Sequence, residues 1–418
     1  SSSGSNPGAG RPSAFEMAAI KAGTPVIRRL SALSRQLGLA TVSATPLPTE
    51  MRAVVWHGVG KEMSVETLVR PTPRKGELLV KTRACGVCHT DLHVIKGEVP
   101  FPAPAVLGHE ISGTVVACGP DVRKGDLLNQ KVVCPFIMPC ETCNSCERGL
   151  EDQCEQFFAL NRLKGALYDG ETRLFRKDGT PVAMYSMGGL AEYCVVPESA
   201  VFPLNGSDHL WAESSILGCM FFTATGALRN AELKTGQSAA VFGCGGVGTG
   251  ILQLARTAGA QPLIAVDVAD DKLEAARRMG ATHTINSSTE DPVARIAEIT
   301  GGQKVDVSFE VIGLKQTFEQ ALLSVRDGGR MVAVGIADVK VKADVPITHV
   351  VRRSLSLCGS YGGRASQDMP TLVNAMAEGD VDVRTPIVQR FDLAGAPEAY
   401  RLLSERKILG RAIVEFPV

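Results

Sequence analysis

The stretch that decides the fold is residues 239–255, AAVFGCGGVGTGILQLA. Four apolar residues run into a glycine-rich turn, and a helical apolar pattern follows it. Gly243, Gly245 and Gly248 fall at G-x-G-x-x-G spacing, with Gly246 and Val247 inside the motif. In a strand–turn–helix setting the first glycine permits the tight turn. The second lets the backbone approach a pyrophosphate, and the third lets helix and strand pack closely. The helix then aims unpaired N–H groups and a partial positive charge at the phosphates. Downstream, PLIAVDV (262–268) puts Asp267 at the end of the next strand. A carboxylate there accepts from ribose hydroxyls and repels a 2′-phosphate, so the expected cofactor is NAD rather than NADP.

Outward from this turn, residues 220–360 alternate strand and helix patterns: SAAVFG, GILQLARTAG, PLIAVDV, DKLEAARRMG, VDVSFEVIG, FEQALLSV, RMVAVGI. Such alternation implies crossover units and a parallel sheet. Residues 51–219 read as short strands and loops, and 361–418 return to mixed helix and strand. A chain of 418 residues exceeds one ordinary core. The economical reading is a nucleotide-binding domain (220–360) inserted in a second, mostly β domain (51–219 and 361–418).

Lys plus Arg number 44 and Asp plus Glu number 44, so the formal net charge is zero. That argues against nucleic-acid and membrane-surface binding, which draw on a basic excess. No apolar run reaches the length of a spanning helix. Residues 1–16 are low in complexity and read as an artefactual extension, with Met17 as the natural start. From Met17 to Thr49 there is no acidic residue; Lys21, Arg28, Arg29 and Arg35 alternate with Val26, Leu30, Leu33 and Leu37 at helical spacing. Residues 1–50 are therefore expected to be a disordered tail carrying a transit peptide, mitochondrial in first place, with a plastid or cytoplasmic location as the alternatives.

Twelve cysteines in a long chain point to metal ligands and reduced thiols rather than a disulfide framework. PCETCNSCERGLEDQCE (139–155) spaces Cys140, Cys143, Cys146 and Cys154 as C-x2-C-x2-C-x7-C. Four thiolates on one short loop suit a closed tetrahedral zinc site with no place for water or substrate. Quieter signals are Cys88, Thr90, Asp91 and His93 in CGVCHTDLHVIKGE, His109 and Glu110 in AVLGHEISG, and Cys219 in SILGCMFFTATGAL. Two cysteines and a histidine would leave a fourth zinc position open, as catalysis requires. Spacing alone does not join residues so far apart.

Taken together, GVCHTDLH, GHE, the four-cysteine loop, GCGGVG with Asp267, and FEVIG resemble the zinc-dependent alcohol dehydrogenases of the medium-chain dehydrogenase/reductase family, over residues 51–418. The resemblance implies a Rossmann doubly wound parallel sheet domain inserted in a mostly β, GroES-like catalytic domain. It implies two zinc ions per subunit. Cys88, His109 and Cys219 would hold the catalytic one, with Glu110 behind it and Asp91 orienting His109; Cys85 would not be a ligand. Thr90 would accept a hydrogen bond from the reacting alcohol, and His93 would pass the proton to solvent. His89 and Arg411 would lie near the pyrophosphate, Lys272 near the adenosine ribose, Val247 and Thr223 near the nicotinamide, and Phe136 in the substrate pocket.

The implied reaction interconverts primary alcohols and aldehydes. Polyols, cinnamyl-type alcohols or other carbonyl substrates are the alternative. The glutathione-dependent formaldehyde branch carries an arginine shortly after the last loop cysteine, where EQFFALNR has Phe158. The glutathione adduct is therefore not the expected substrate. Residues 157–187 resemble a loop near the pocket mouth in the longer members. Family members pair along the edge of the nucleotide-domain sheet, so a homodimer is implied, with a tetramer as the alternative. RMVAVGI and LSLCGSYGG would lie at or near that edge.

Overall fold

A computed structural model describes residues 41, 42 and 46–417. The helical run from Val26 to Leu37, expected to carry targeting, lies outside the described residues. Six parallel strands form one sheet, in the spatial order His283–Asn286, Leu263–Asp267, Ala239–Phe242, Val305–Glu310, Val325–Ala333, Ser356–Gly359. Numbered along the chain, this is the 3-2-1-4-5-6 order of a doubly wound dinucleotide fold. Its three central strands are buried along their whole length, because helices cover both faces. The helix Gly246–Thr257 buries Gly248, Ile251, Leu252 and Ala255, a stripe at helical spacing. Ser356–Gly359 is an outer strand, and Leu357 on it is exposed. RMVAVGI lies one strand further in.

The second unit is a curved antiparallel sheet beside a small closed barrel. The sheet runs Phe202–Pro203, Lys131–Cys134, Ile111–Cys118, Glu77–Val87, Arg411–Glu415, Ile387–Phe391, with Tyr193–Pro197 also on Glu77–Val87. Its last two strands come from the C-terminal segment. They pair parallel to each other, and Arg411–Glu415 pairs antiparallel to Glu77–Val87. Among the described residues no helix is long and apolar enough to cross a membrane.

Two expectations need correcting. The first 50 residues are not all tail: Thr41–Val42 pairs antiparallel with Ala117–Cys118. Two β-branched residues suit an extended backbone, and they add a short strand beside the end of Ile111–Cys118. Residues 157–187 are not a simple loop either. Leu174–Phe175 and Pro181–Met184 are staves of the closed barrel, and Phe157–Arg162 lies in a helical turn. Arg173 anchors this segment with a buried bidentate pair to Glu77, at 2.6 and 3.0 Å.

Candidate active site

His109 follows Gly108 and leads into the strand Ile111–Cys118; Cys88 caps the helix His89–Ile95; Cys219 caps the helix Met220–Ala231. Three segments far apart in sequence thus meet. One ligand atom each from Cys88, His109, Glu110 and Cys219 lies within 4.8 Å of the others, and all four residues are buried. His109 is fixed by Asp91, whose Oδ1 lies 3.0 Å from Nδ1 and accepts from the Gly108 N–H, also at 3.0 Å. Asp91 Oδ2 accepts from the Tyr400 hydroxyl at 2.8 Å. With Nδ1 committed, His109 Nε2 faces the two sulfurs and has no hydrogen-bond partner.

A buried nitrogen left without a partner is costly, and two thiols and a carboxylate surround it. This donor set fits zinc. The electrostatics agree. The hydrogen bond with Cys219, helped by His109 and Arg411, holds the Cys88 thiol well below the usual thiol range. The same bond, with burial, pushes Cys219 well above it. Burial pushes the Glu110 carboxyl up to about 7, against the pull of Arg411. Cys85 is buried and lies outside the cluster; its thiol donates weakly to the Gly86 carbonyl at 3.6 Å.

Thr90 Oγ1 sits 3.6 Å from Cys88 Sγ. His93 follows three residues on, on the same face of the short helix. It is part-exposed, and its Nδ1 hydrogen-bonds Glu98. Thr223 stands one turn past Cys219, its N–H donating to the Cys219 carbonyl at 2.8 Å. Phe136 is buried, its ring edge-on to His109 at 5.9 Å, to Phe222 at 5.9 Å and to Tyr361 at 5.7 Å. Tyr185 lies on another side of His109, with centroids 6.1 Å apart. The centre is therefore walled by aromatic rings.

The glycine turn shows why its residues are glycines. Gly243 has φ +103°, and a Cβ on Gly248 would fall 1.8 Å from the Gly243 carbonyl oxygen. A Cβ on Gly245 would meet nothing within 4 Å, so that face is open for a ligand. Asp267 accepts from the Cys244 N–H at 2.8 Å, and Lys272 Nζ lies 3.9 Å from its carboxylate. Val247 is half-buried and His89 is exposed. Arg411 joins the turn to the metal cluster. Its guanidinium hydrogen-bonds Glu110, and its Cδ would lie 2.7 Å from a Cβ on Gly246. Its Nε is buried without a partner.

Cys140, Cys143, Cys146 and Cys154 form the second cluster, their sulfurs also within 4.8 Å of one another. The Cys140 N–H donates to Cys154 Sγ at 3.2 Å, and the Phe157 N–H to the same sulfur at 3.5 Å. These four sulfurs likewise fit zinc. Acids on the loop dock it elsewhere. Glu151 accepts from the Ser366 N–H at 2.9 Å, at the start of the helix Ala365–Glu378, and Asp152 accepts from Arg364 at 3.0 Å.

Tyr400, Glu98 and Tyr185 are not found by the sequence reading. The spacing carries no signal for Tyr400 or Tyr185, whereas Glu98, five residues past His93, was within reach of a local reading.

Comparison with known proteins agrees with this geometry. Residues 74–206 match the family model described as alcohol dehydrogenase GroES-like domain, and 246–378 match zinc-binding dehydrogenase. An NDMA-dependent alcohol dehydrogenase of Amycolatopsis methanolica is 32% identical, over 85% of this chain and 96% of its own. An S-(hydroxymethyl)glutathione dehydrogenase of Escherichia coli is 31% identical, over 87% and 99%. The crystal structure of benzyl alcohol dehydrogenase from Acinetobacter calcoaceticus superposes with a TM-score of 0.82 at 29% identity, over 88% of this chain and all of that one. Fold and site together define a zinc-binding dehydrogenase, a Rossmann-type sheet beside a GroES-like catalytic domain. The chain belongs to the zinc-dependent alcohol dehydrogenases of the medium-chain dehydrogenase/reductase family.

Proposed function

We propose that the protein interconverts primary alcohols and aldehydes with NAD, using one catalytic and one structural zinc per subunit. The observation that carries this reading is His109 Nε2, buried and unpartnered between Cys88 and Cys219 while Asp91 holds the other nitrogen. When bound, zinc supplies Lewis acidity at the substrate oxygen and NAD supplies the hydride acceptor. The proton is left to the chain. Thr90, beside Cys88, accepts the hydrogen bond of the alcohol hydroxyl. His93, at the part-exposed end of the same helix face and braced by Glu98, releases the proton to water. The aromatic walls exclude water from the reacting carbon.

Asp267 beside the turn supports NAD over NADP, since its charge opposes a 2′-phosphate. Arg411 Nε, buried and unpartnered next to Gly246, suits the pyrophosphate. Phe158 packs 5.6 Å from Tyr361, which supports an aromatic pocket wall rather than a glutathione clamp at that position. The outer strand Ser356–Gly359 supports pairing into a homodimer. The test is NAD reduction across primary alcohols, with zinc counted per chain. Cys88→Ala should fold, keep one zinc and lose turnover; a folded Cys88→Ala with full activity would sink the assignment.

A further inference from the structure

Beside the metal cluster lies a cation that, among the described residues, has no ion-pair partner. Arg162 ends the helical turn Phe157–Arg162, and its guanidinium carbon stands 4.0 Å from the centroid of the Tyr185 ring. Tyr185 in turn faces His109 at 6.1 Å. The Arg162 residue is part-exposed overall, but its Nη1 is fully buried and has no hydrogen-bond partner. Among the described residues no carboxylate forms an ion pair with it, whereas Arg173 pairs with Glu77 and Arg411 with Glu110. The Tyr185 hydroxyl is buried and unpartnered as well. Burial opposes the charge, while Tyr185, Tyr361 and, from beyond ion-pair distance, the buried Asp91 carboxylate favour it.

A guanidinium does not shed its proton to escape burial. A charge held in place with no partner is destabilising unless something else completes it. The natural complement of a planar fork is a carboxylate, which accepts two parallel N–H bonds. The buried Tyr185 hydroxyl offers a further donor next to the guanidinium. Between this fork and the Cys88–His109–Cys219 cluster stand aromatic walls suited to methylene groups.

We propose that Arg162, with Tyr185, clamps a carboxylate on the substrate, so that the preferred alcohols are ω-hydroxy acids and their products the matching aldehyde acids. The inference rests on the reading that the alcohol reacts at the Cys88–His109–Cys219 cluster. In the reaction the terminal CH2OH loses a hydride to NAD and its hydroxyl proton to solvent, giving an aldehyde and NADH. The carboxylate is unchanged.

The experiment compares kcat/KM for matched ω-hydroxycarboxylates and n-alkanols in wild type, Arg162→Gln and Arg162→Lys, alongside the thermal shift given by hexanoate. Wild type should favour the hydroxy acids. Arg162→Gln should lower the ratio of hydroxy acid to alkanol by about 30-fold, mostly through KM, as expected for loss of a charge-assisted hydrogen bond. Arg162→Lys should restore part of it. Hexanoate should stabilise wild type more than Arg162→Gln; both keep the metal ligands, so the difference reads Arg162. A wild type that prefers alkanols, or variants that lose both series equally with the ratio intact, would overturn the clamp. Failure of the parent reading looks different: no NAD reduction with either series, in which case the hexanoate difference alone decides for or against the clamp.

Discussion

Replacing Asp91 with asparagine should separate what the metal needs from what the fold needs. Asp91 is fully buried and accepts three hydrogen bonds. Two of them, from Gly108 N–H and His109 Nδ1, converge on Oδ1. Asparagine keeps a carbonyl oxygen there. Its amide would face the Tyr400 hydroxyl, which can turn and accept. Almost every bond survives, so the stability loss should be about 1 kcal/mol. Alanine removes all three acceptors and strands three buried donors. At about 1–3 kcal/mol each, and less than additive, that amounts to roughly 3–6 kcal/mol. The metal responds to charge instead. Without the carboxylate the imidazole is a poorer donor, and zinc affinity should fall about 10- to 100-fold in both variants. Urea midpoints and zinc retained against graded chelator measure the two effects separately. An Asp91→Asn protein that binds zinc as tightly as wild type, or one as unstable as Asp91→Ala, would refute this reasoning.

Substituting Cys143 by alanine should remove one zinc per chain and lower Tm by at least about 5 °C, with activity lost only as the protein unfolds; a stable but inactive protein would reverse the roles of the two clusters. Asp267→Ser should shift the ratio of kcat/KM for NAD over NADP by at least about tenfold toward NADP, and an unchanged ratio counts against Asp267 as the ribose reader. Burial raises the Asp169 carboxyl, but hydrogen bonds from Arg173, the Glu171 N–H and Arg74 outweigh it and bring it down to about 2 from 3.8. A depressed carboxyl stabilises the fold above its unfolded value and loses that effect as pH falls from about 3.8 to about 2. The gap in urea midpoint between wild type and Asp169→Asn should therefore be present at neutral pH and narrow in acid, and a gap that widens in acid contradicts the pairing. Residues 17–50 fused to a fluorescent protein should enter mitochondria, whereas diffuse cytosolic signal argues against a targeting role.

How far the sequence reveals this molecule depends on how local each signal is. The parallel sheet of the nucleotide domain follows from a strand–helix alternation that shows in short windows, whereas its strand order appears only in the structure, and the glycine turn sits within six residues. The four-cysteine loop is equally local. Cys88, His109 and Cys219 carry no common spacing; only the family resemblance groups them, and the geometry then brings them together. Tyr400 reaches Asp91 across 309 positions of chain, and Arg162 meets Tyr185 only because a barrel folds between them. Such pairings are decided by tertiary packing, which leaves no periodicity to read. The strands Leu174–Phe175 and Pro181–Met184 escape for another reason: two to four residues give no pattern until neighbouring staves supply hydrogen bonds.

Arg411 lies on one of the last strands of the chain, yet its side chain touches both Glu110 and the glycine turn at Gly246. Synthesis runs from the N-terminus, so this contact must wait until long after Glu110 and the glycine turn have been made. A nascent chain long enough to have formed the nucleotide sheet still lacks the strand that closes the catalytic sheet and the arginine that links the two centres. A message truncated just before residue 411 would yield a protein with every metal ligand and every glycine of the turn, but without the side chain that touches both.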